Sequence, residues 1–376
     1  MIFQNLTIKR IQLVRLLIVV AIVGICFYQF EVLPNLPKLP DTSALSQQSE
    51  LVIQGYDRIE YNDDKFGFTK VEFINRANII SISSPASILL LSIVASGKSY
   101  GKGHTYVEFL KKYEFLTSNS NYRYNLGILI SDDQEFTKIN QFLTENTLKN
   151  FEKITLIQAK FIDESNALDR ENRHDNNVQR FRRRLIARVR NFCLFNCLTT
   201  EQYTVFIDSD IIEFKQPNMI DLFIDTNYDI IVPRIQHALG DVDYDRNSWK
   251  GERTKPDDEE LKKMDKNDWD NVQYVPQDVS GKIYHFYSFM GSEDKINHPE
   301  LTYAFPLDSV GGAILFAKSI IYKQGVNFPT SYIVGTTWDR DEGYDGIETE
   351  GICYLAKPLG YKCWGMPNIV AIHSSD

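Results

Sequence analysis

From residue 87 onward the chain alternates short apolar runs with amphipathic segments, and this alternation limits the folds open to it. The apolar runs are of β type: SILLLSIVA (87–95), NLGILIS (125–131) and KITLIQA (153–159). Between them, residues 105–116 and 133–151 place apolar side chains at helical spacing. Strands that alternate with helices predict a parallel sheet covered by helices on both faces. We therefore expect an α/β fold.

The pattern continues further along the chain. It predicts a helix around 181–198, a strand in TVFI (204–207), a helix at about 217–224 and a strand in DIIVPRI (229–235). Residues 240–274 are polar and charged, which is typical of a loop or short helix inserted over one face of the sheet. The apolar pattern returns with SVGGAILFA (309–317).

The N-terminal segment is typical of a membrane anchor. Three basic residues precede an unbroken apolar run (16–28), and Glu31 follows it. A cleaved signal peptide and a buried core helix are the alternatives, but the run is followed by a Pro-, Ser- and Gln-containing spacer without a small-x-small cleavage motif. The positive-inside rule places the body across the membrane, and the short span suits the thin membranes of the early secretory pathway. We predict a cytoplasmic tail (1–15), a transmembrane signal anchor (16–30), a luminal stem (31–86) and a globular domain (87–376).

The charge balance of the body disfavours a nucleic-acid partner. Three of the 41 basic residues and none of the 50 acidic residues precede Glu31, so the rest of the chain carries 38 basic residues and a net charge of −12. Such a surface repels polyanions unless its arginines are concentrated locally.

The cysteines leave two interpretations open. Cys26 lies in the predicted anchor, and Cys193, Cys197, Cys353 and Cys363 lie in the body. No His or Cys cluster at metal-ligand spacing surrounds them. Buried thiols and one luminal disulfide are both compatible with this pattern.

Asp208 and Asp210 stand at the end of an apolar run, in YTVFIDSDIIEF (203–214). Other Asp-x-Asp pairs fall in polar loops, within 241–245, 268–270 and 339–341. Ligands of open parallel sheets bind at the carboxyl ends of strands, and residues two apart in an extended chain point to the same side. Both carboxylates therefore converge on one point, where magnesium or manganese could bind them together with phosphate oxygens. The alternative is an acidic strand end that holds no ligand.

A metal held in this way indicates a nucleotide diphosphate. The sequence has no P-loop and no GxGxxG after the first strand, and SGKSYGKG (96–103) is more typical of a flexible turn than of a phosphate site. A metal-bridged diphosphate at the end of a parallel strand is what a nucleotide-sugar transferase requires, because the metal neutralises charge that develops on the leaving diphosphate.

A basic stretch, QRFRRRLIARVRNF (179–192), precedes this motif. Arg184 and Arg188 share one face of the predicted helix, and Arg190 with Asn191 lies half a turn further on. These arginines either pair with the many acids of the body, or one or two of them clamp a diphosphate or a carboxylate of the motif.

Eight segments occur in a fixed order: RRRLIARVRNFCL, VFIDSDI, DIIVPRI, DYDRNSW, LDSVGGAILFAK, GVNFP, IETEGICYLAKPLGY and GMPNIVAIH. Together they resemble the fungal Golgi mannosyltransferases of the mannan polymerase complexes, glycosyltransferase family sixty-two, over roughly residues 88–373. The resemblance implies a GT-A fold with a Rossmann-like, mixed and mostly parallel sheet, in a single-pass type II protein of the early or cis Golgi membrane. It also implies GDP-mannose as donor, manganese as cofactor, a mannose-terminated N-glycan as acceptor and related mannosyltransferase subunits as partners.

The resemblance assigns residues to the donor and metal. Asp208 and Asp210 match the family's Asp-x-Asp pair, with Asp210 as the direct metal ligand. His373 matches a histidine after the last strand that completes the metal shell in similar enzymes. Arg190 matches the arginine of an Ala-Arg-Asn pattern, with Val189 in place of the alanine, and is expected to bind the donor together with both aspartates.

Three further acids are assigned to catalysis by the resemblance. Asp308 matches an acidic position that binds the acceptor sugar. Glu348 and Glu350 match the ETEG block, where they either stabilise the start of a helix or face the sugar. Two segments depart from the family pattern: SIVASGKSYG (92–101) replaces a Thr-Pro-Met-Lys-type run near the nucleotide, and 330–346 is longer than its equivalent.

The implied reaction is a retaining transfer of mannose that builds the α-1,6-linked mannan outer chain of N-glycans. A front-face mechanism, in which the leaving phosphate deprotonates the acceptor hydroxyl, needs no carboxylate nucleophile, so metal and arginine supply most of the catalysis. A non-catalytic structural subunit of such a complex is the alternative, against which the intact Asp208, Asp210 and His373 argue. A different nucleotide-sugar transferase on the same fold is disfavoured by the number of ordered matches.

Overall fold

The computed structural model describes most of the predicted body. The described residues are 51–53, 55–76, 86–118, 122–146, 148, 150–162, 176–240, 242–268, 271–272, 274, 276–331 and 346–374. The predicted tail and anchor lie outside them. Within these ranges, no helix combines the length and the hydropathy needed to cross a bilayer.

One large mixed sheet organises the described residues. Its strands, and those of a separate ribbon, are β1 (Leu51–Ile53), β2 (Tyr56–Asp63), β3 (Phe68–Asn75), β4 (Ser87–Val94), β5 (Arg123–Ile130), β6 (Phe151–Ala159), β7 (Tyr203–Ile207), β8 (Ile211–Phe214), β9 (Ile230–His237), β10 (Trp249–Arg253), β11 (Asp278–His285), β12 (Phe305–Leu307), β13 (Ile314–Lys318) and β14 (Cys363–His373). The order in the sheet is β1-β2-β3-β6-β5-β4-β7-β13-β9-β14-β12, with β8 paired to β14, and β10 and β11 form the ribbon. Strands β6, β5, β4 and β7 run parallel, as do β9 and β14, whereas β13 is antiparallel to both of its neighbours. The predicted mixed α/β architecture is confirmed.

The helices follow the strands they connect. They are α1 (Tyr106–Thr117), α2 (Asp133–Glu145), α3 (Asn176–Cys197), α4 (Met219–Asp225), α5 (Asp258–Asp265), α6 (Phe286–Met290), α7 (Glu293–Asn297), α8 (Ser319–Lys323) and α9 (Glu350–Ala356). Thr105 begins α1 with a capping box, accepting from the Val107 amide while Glu108 bonds back to the Thr105 backbone. The helix predicted over 133–151 ends earlier, at Glu145, because Asn146 has extended backbone (φ −129°, ψ 131°) and the apolar residues beyond it begin β6.

Two hydrophobic cores lie on opposite faces of the sheet. The alternation within β4 separates them: Ile88 and Leu90 join the core beneath α1, α2 and α4, whereas Leu89 and Leu91 join the core beneath α3 and α9. Burial on both faces explains why the central strands are continuous apolar runs. The prediction of a sheet covered on both faces is therefore correct.

The folded body begins earlier than the stem boundary at residue 86 predicts. Strands β2 and β3 form a hairpin, and β3 pairs with β6 from Phe68 opposite Ala159 onward, so both strands extend the main sheet. The compact unit that contains them runs from Gln48 to Asp376. The hairpin lacks a continuous apolar run because many of its side chains are at least partly exposed, with Val71 and Phe73 alternating inward.

The topology gathers the acidic motif and the C-terminal histidine at one edge of the sheet. Strand β7 ends at Ile207, so Asp208 follows directly at its carboxyl end. The chain then turns into β8, which pairs with β14 so that Ile211 lies opposite His373. This pairing brings the end of the last strand next to the turn that carries both aspartates.

Candidate active site

The turn that carries the acidic motif is held by three neighbouring segments. The Asp208 amide donates to the carbonyl of Ala313 (2.8 Å). The Ser209 hydroxyl donates to the carbonyl of Ser99 (2.7 Å), in the loop after β4. From α1, the Lys112 ammonium donates to the carbonyl of Ser209 (2.9 Å). These contacts fix the backbone of the turn from which the two carboxylates project.

Arg190 reaches this turn from α3. One of its terminal nitrogens, Nη2, donates to Oδ1 of Asp208 (2.9 Å) and to the carbonyl of Gly312 (3.0 Å). Its Nε lies 3.1 Å from Oε1 of Glu348. The side chain is 5% exposed, and the guanidinium also lies over two aromatic rings, those of Phe206 and Phe328. The sequence left open whether the arginines pair with acids of the body or clamp a diphosphate or a motif carboxylate. Arg190 clamps the motif carboxylate of Asp208.

His373 pairs with the second aspartate. Its Nε2 lies 3.0 Å from Oδ2 of Asp210, and its Nδ1 lies 2.7 Å from the carbonyl of Ser374, to which it donates. The Ser374 amide donates in turn to the Asp210 carbonyl (2.9 Å). The imidazole is 1% exposed, and the ring of Tyr244 covers it. Both nitrogens of the histidine are thus directed by named neighbours.

The two aspartates have different electrostatic environments. Burial raises the pKa of Asp208 to about 6, although the charge of Arg190 opposes the shift. At Asp210 burial also acts to raise the pKa, but the hydrogen bond and charge of His373 outweigh it, so the pKa lies below its ordinary value. For His373 burial acts to lower the pKa, and the bond to Asp210 reverses this. Burial lowers the pKa of Lys112 to about 7. The contact between Asp210 and His373 therefore favours the ionised carboxylate and the protonated imidazole.

The structure separates Glu348 from Glu350. Glu348 has a left-handed backbone (φ 65°), and its carboxylate faces Arg190, so it belongs to the cluster around Asp208. The Glu350 carboxylate, 3% exposed, lies instead between Arg183 (2.5 and 3.0 Å) and Arg253 (3.2 Å). Its charge is balanced by these two arginines, which connect α3 and the ribbon to α9.

Asp308 lies between β12 and β13, beside the ribbon. Its Oδ2 accepts from the Gly251 amide (2.8 Å), and its own amide donates to the Trp249 carbonyl (2.9 Å). Gly251 has φ 125° and would place a Cβ 1.9 Å from the Lys282 carbonyl oxygen, so only glycine fits there. The half-buried Asp308 is thus positioned by the ribbon rather than by the Arg190 cluster.

Asp245 is a site residue that the sequence did not reveal. A Cβ on Gly311 would lie 1.7 Å from Oδ2 of Asp245, so the glycine leaves room for this carboxylate. Burial raises the pKa of Asp245, and the Glu348 charge adds to the shift while the Arg190 charge opposes it. In the sequence, Asp243 and Asp245 form an Asp-x-Asp pair that looks like the other pairs in polar loops. The double glycine Gly311-Gly312 is the signal that could have indicated a close approach here.

The donor atoms fit a metal ion held by two protein side chains. Among the described residues, no three His, Cys, Asp or Glu side chains lie together in a geometry that would hold a metal. Oδ2 of Asp210 and Nε2 of His373 do lie together, and Nδ1 of that ring binds a carbonyl, as it does in metal-binding histidines. A carboxylate and an imidazole can together bind a divalent metal ion, and two protein ligands leave the remaining coordination positions open. Oδ1 of Asp208 is engaged by Arg190.

Several proteins similar to this chain are mannan polymerase complex subunits of yeasts. The mannan polymerase complex subunit MNN9 of Candida albicans is 28% identical over 258 residues, 62% of this chain and 62% of the relative. The mannan polymerase I complex VAN1 subunit of Saccharomyces cerevisiae is 25% identical over 314 residues, 80% of this chain and 54% of the relative. The mannan polymerase complex subunit mnn9 of Schizosaccharomyces pombe is 27% identical over 267 residues, 67% of this chain and 72% of the relative. The chain thus spans less than two thirds of the length of the first two.

A crystal structure of GalNAc-T7 with UDP, GalNAc and Mn²⁺ is a more distant match. It is 10% identical to this chain and covers 77% of it and 43% of the other chain, with a TM-score of 0.39. A score this low does not establish a common fold.

A family model also matches the central part of the chain. The model described as Anp1 matches residues 74–332, well over half of the chain, and this range contains Arg190, Asp208 and Asp308. The yeast relatives carry the names of the complexes that the sequence motifs resemble. The chain belongs to the Anp1 family.

Proposed function

We propose that this protein is a retaining α-1,6-mannosyltransferase with a GT-A fold. It transfers mannose from GDP-mannose to the mannan outer chain of N-glycans, as one subunit of a mannan polymerase complex. The single observation that carries the proposal is the pairing of Asp210 with His373 (3.0 Å) at the carboxyl end of β7, where open α/β sheets bind their ligands. The names of the relatives support the complex and the product.

Asp210 and His373 are the residues that would hold the manganese ion. When bound, the metal would neutralise charge on the departing diphosphate. The charge of Arg190 favours the ionised form of Asp208, and its hydrogen bond holds Oδ1 of that carboxylate. Its Nη1 is buried and has no hydrogen-bond partner within the described part of the chain, so it is the donor we assign to a phosphate oxygen.

The remaining acids divide by their partners. Glu348 and Asp245 surround Arg190, and we assign them to holding its guanidinium. Glu350 is held between two arginines, and we assign it to structure. Asp308 is half-buried, and within the described residues its carboxylate is bonded through Oδ2 alone, which supports the proposal that this carboxylate meets the acceptor sugar. A front-face reaction then needs no protein nucleophile.

We further propose a type II protein of the Golgi membrane with its catalytic domain in the lumen. The disulfide between Cys353 and Cys363 supports an oxidising compartment, because disulfides persist there and are rare in the cytosol.

A non-catalytic subunit is the second candidate function. It is favoured by the pairing of Asp208 with Arg190, which engages one carboxylate oxygen of the motif. In that case the protein would act by holding a related, active subunit.

The test is mannose transfer from GDP-mannose to a short α-1,6-mannoside by the purified chain, with and without manganese. Asp210→Asn is compared with Glu213→Gln, which changes an exposed carboxylate of β8 three residues away. Transfer that requires manganese, disappears in Asp210→Asn and persists in Glu213→Gln supports the enzyme. A chain that binds GDP without transfer indicates an obligate partner, and a folded chain that does neither indicates the non-catalytic subunit.

A further inference from the structure

The ring of Tyr244 lies flat against the imidazole of His373. The two ring centroids are 3.5 Å apart and the planes differ by 14°. Tyr244 is itself held, because its amide donates to the Ile235 carbonyl (2.9 Å) and the ring of His237 meets it edge-on (5.0 Å, 84°). The tyrosine packs against the core beneath α1, α2 and α4. These contacts hold its ring against the histidine.

A flat surface matters because the lone pair of an imidazole nitrogen lies in the plane of the ring. The contact of Nδ1 with the Ser374 carbonyl directs one edge of the His373 ring. That single contact still allows the ring plane to tilt, and a tilt would turn Nε2 away from Oδ2 of Asp210. Contact with the Tyr244 face opposes such a tilt, since the two planes must stay nearly parallel.

We infer that Tyr244 is a positioning residue, whose ring holds His373 in the plane in which Nε2 and the Asp210 carboxylate share one divalent cation. The inference rests on the proposed function, which assigns Asp210 and His373 to the metal. It goes beyond that function because Tyr244 touches neither metal nor substrate and acts only through the histidine. The contact uses the ring face, so phenylalanine should replace tyrosine and a non-aromatic side chain should not.

The experiment measures manganese binding rather than turnover. Mn²⁺ alone is titrated into the purified full chain, and the free ion is followed by electron paramagnetic resonance. Tyr244→Phe is expected to bind with the wild-type affinity, whereas Tyr244→Leu loses about tenfold or more, as changes next to metal-binding histidines commonly do. Tyr228→Leu is the matched control, because Tyr228 stacks on Trp364 of the same strand, β14 (4.3 Å, 18°), and its loss should leave manganese affinity unchanged.

Each outcome decides a different point. If wild type binds manganese and Tyr244→Leu binds it equally well, the positioning role is overturned while the proposed function stands. If wild type binds none, the metal part of the proposed function fails and the inference fails with it. Should Tyr244→Leu unfold, Tyr244→Met is the second non-aromatic variant, because the unbranched methionine adapts to irregular spaces. Equal affinity of the Met and Phe variants would contradict the inference.

Discussion

Arg190 and Asp208 are joined by a hydrogen bond of 2.9 Å, and the same nitrogen of the arginine donates to the Gly312 carbonyl at 3.0 Å. One guanidinium thereby connects α3, the turn after β7 and the chain before β13. The arginine side chain is 5% exposed, so its charge is stabilised by the acids that face it and by few water molecules. Without Arg190, the negative charges of Asp208 and Glu348 would repel each other.

The first prediction concerns Arg190→Met. We expect the free energy of unfolding to fall by about 2 kcal/mol. Breaking a fully buried ion pair costs about 3–5 kcal/mol, and the loss here is smaller because water partly stabilises an exposed carboxylate. The carboxylate of Asp208 is 37% exposed. Urea denaturation at neutral pH measures the change. Arg184→Met is the control, because Arg184 is on the same helix and donates to the Thr330 carbonyl at the surface. An equal loss in both variants would contradict the special role of Arg190.

The second prediction concerns Gly311→Ala. The new Cβ would lie 1.7 Å from Oδ2 of Asp245 and 2.2 Å from its Cγ, so the carboxylate must move. We expect a loss of about 1–3 kcal/mol of stability, the usual cost of overpacking, together with loss of the proposed mannose transfer. Gly291→Ala is the control, because among the described residues its Cβ would meet one atom within 4 Å, the Tyr287 carbonyl oxygen at 3.6 Å. A Gly311→Ala protein with wild-type turnover would show that Asp245 is not needed where it lies.

Local sequence patterns predicted the strand end that carries the two aspartates, but not which residues from other elements contact them. The apolar run of β7 and the acids after it are adjacent in sequence, so Asp208 and Asp210 could be placed at a strand end. Six arginines fall between residues 180 and 190, and the one that meets Asp208 depends on how α3 is rotated on the sheet. That rotation is set by packing, with Val189 and Cys193 turned into the core.

Long-range pairings were also invisible to the sequence. The two arginines that hold Glu350 lie 167 and 97 residues away along the chain. The sequence therefore left two interpretations open for this acid, as a stabiliser of the helix start or as a contact to the sugar. The early hairpin of β2 and β3 was assigned to the stem because half-exposed strands carry a weaker apolar pattern than β4 or β5.

The third prediction is the pH dependence of Glu350→Gln. Burial acts to raise the pKa of Glu350, but the charges of Arg183 and Arg253 outweigh it, so the pKa lies below its ordinary value. A carboxylate of this kind stabilises the fold fully above the unfolded-state pKa of about 4.3, and the stabilisation is lost as the pH falls through the lower folded-state pKa. We expect Glu350→Gln to cost about 3 kcal/mol at pH 7.

Unfolding of wild type and Glu350→Gln at a series of pH values from 7 down to 3 checks this. The difference between the two proteins should be constant above about pH 5 and shrink below about pH 4. A difference that keeps the same size across the whole range would mean that the ionised carboxylate is not the stabilising group.

The fourth prediction concerns the cysteines, for which the sequence left thiols and a disulfide open. Cys353 and Cys363 form a disulfide, whereas Cys193 and Cys197 are buried free thiols. Alkylation of the denatured, unreduced chain followed by peptide mass spectrometry should therefore modify Cys193 and Cys197 and spare the other two. Alkylation of Cys353 without reduction would contradict the bond.

The bond connects two parts of the site, because α9 follows Glu348 and β14 ends at His373. It closes a loop with a sequence separation of 10 residues, for which loop entropy predicts a stabilisation of about 3 kcal/mol. We expect the double variant Cys353→Ala and Cys363→Ala to lose about that much in urea denaturation and to bind manganese more weakly, since the start of the strand that carries His373 is no longer tied to α9. Cys193→Ala, which changes a free thiol, separates the loss of the bond from the loss of a buried sulfur. If the double variant is no less stable than Cys193→Ala, the disulfide does not hold α9 and β14 together in solution.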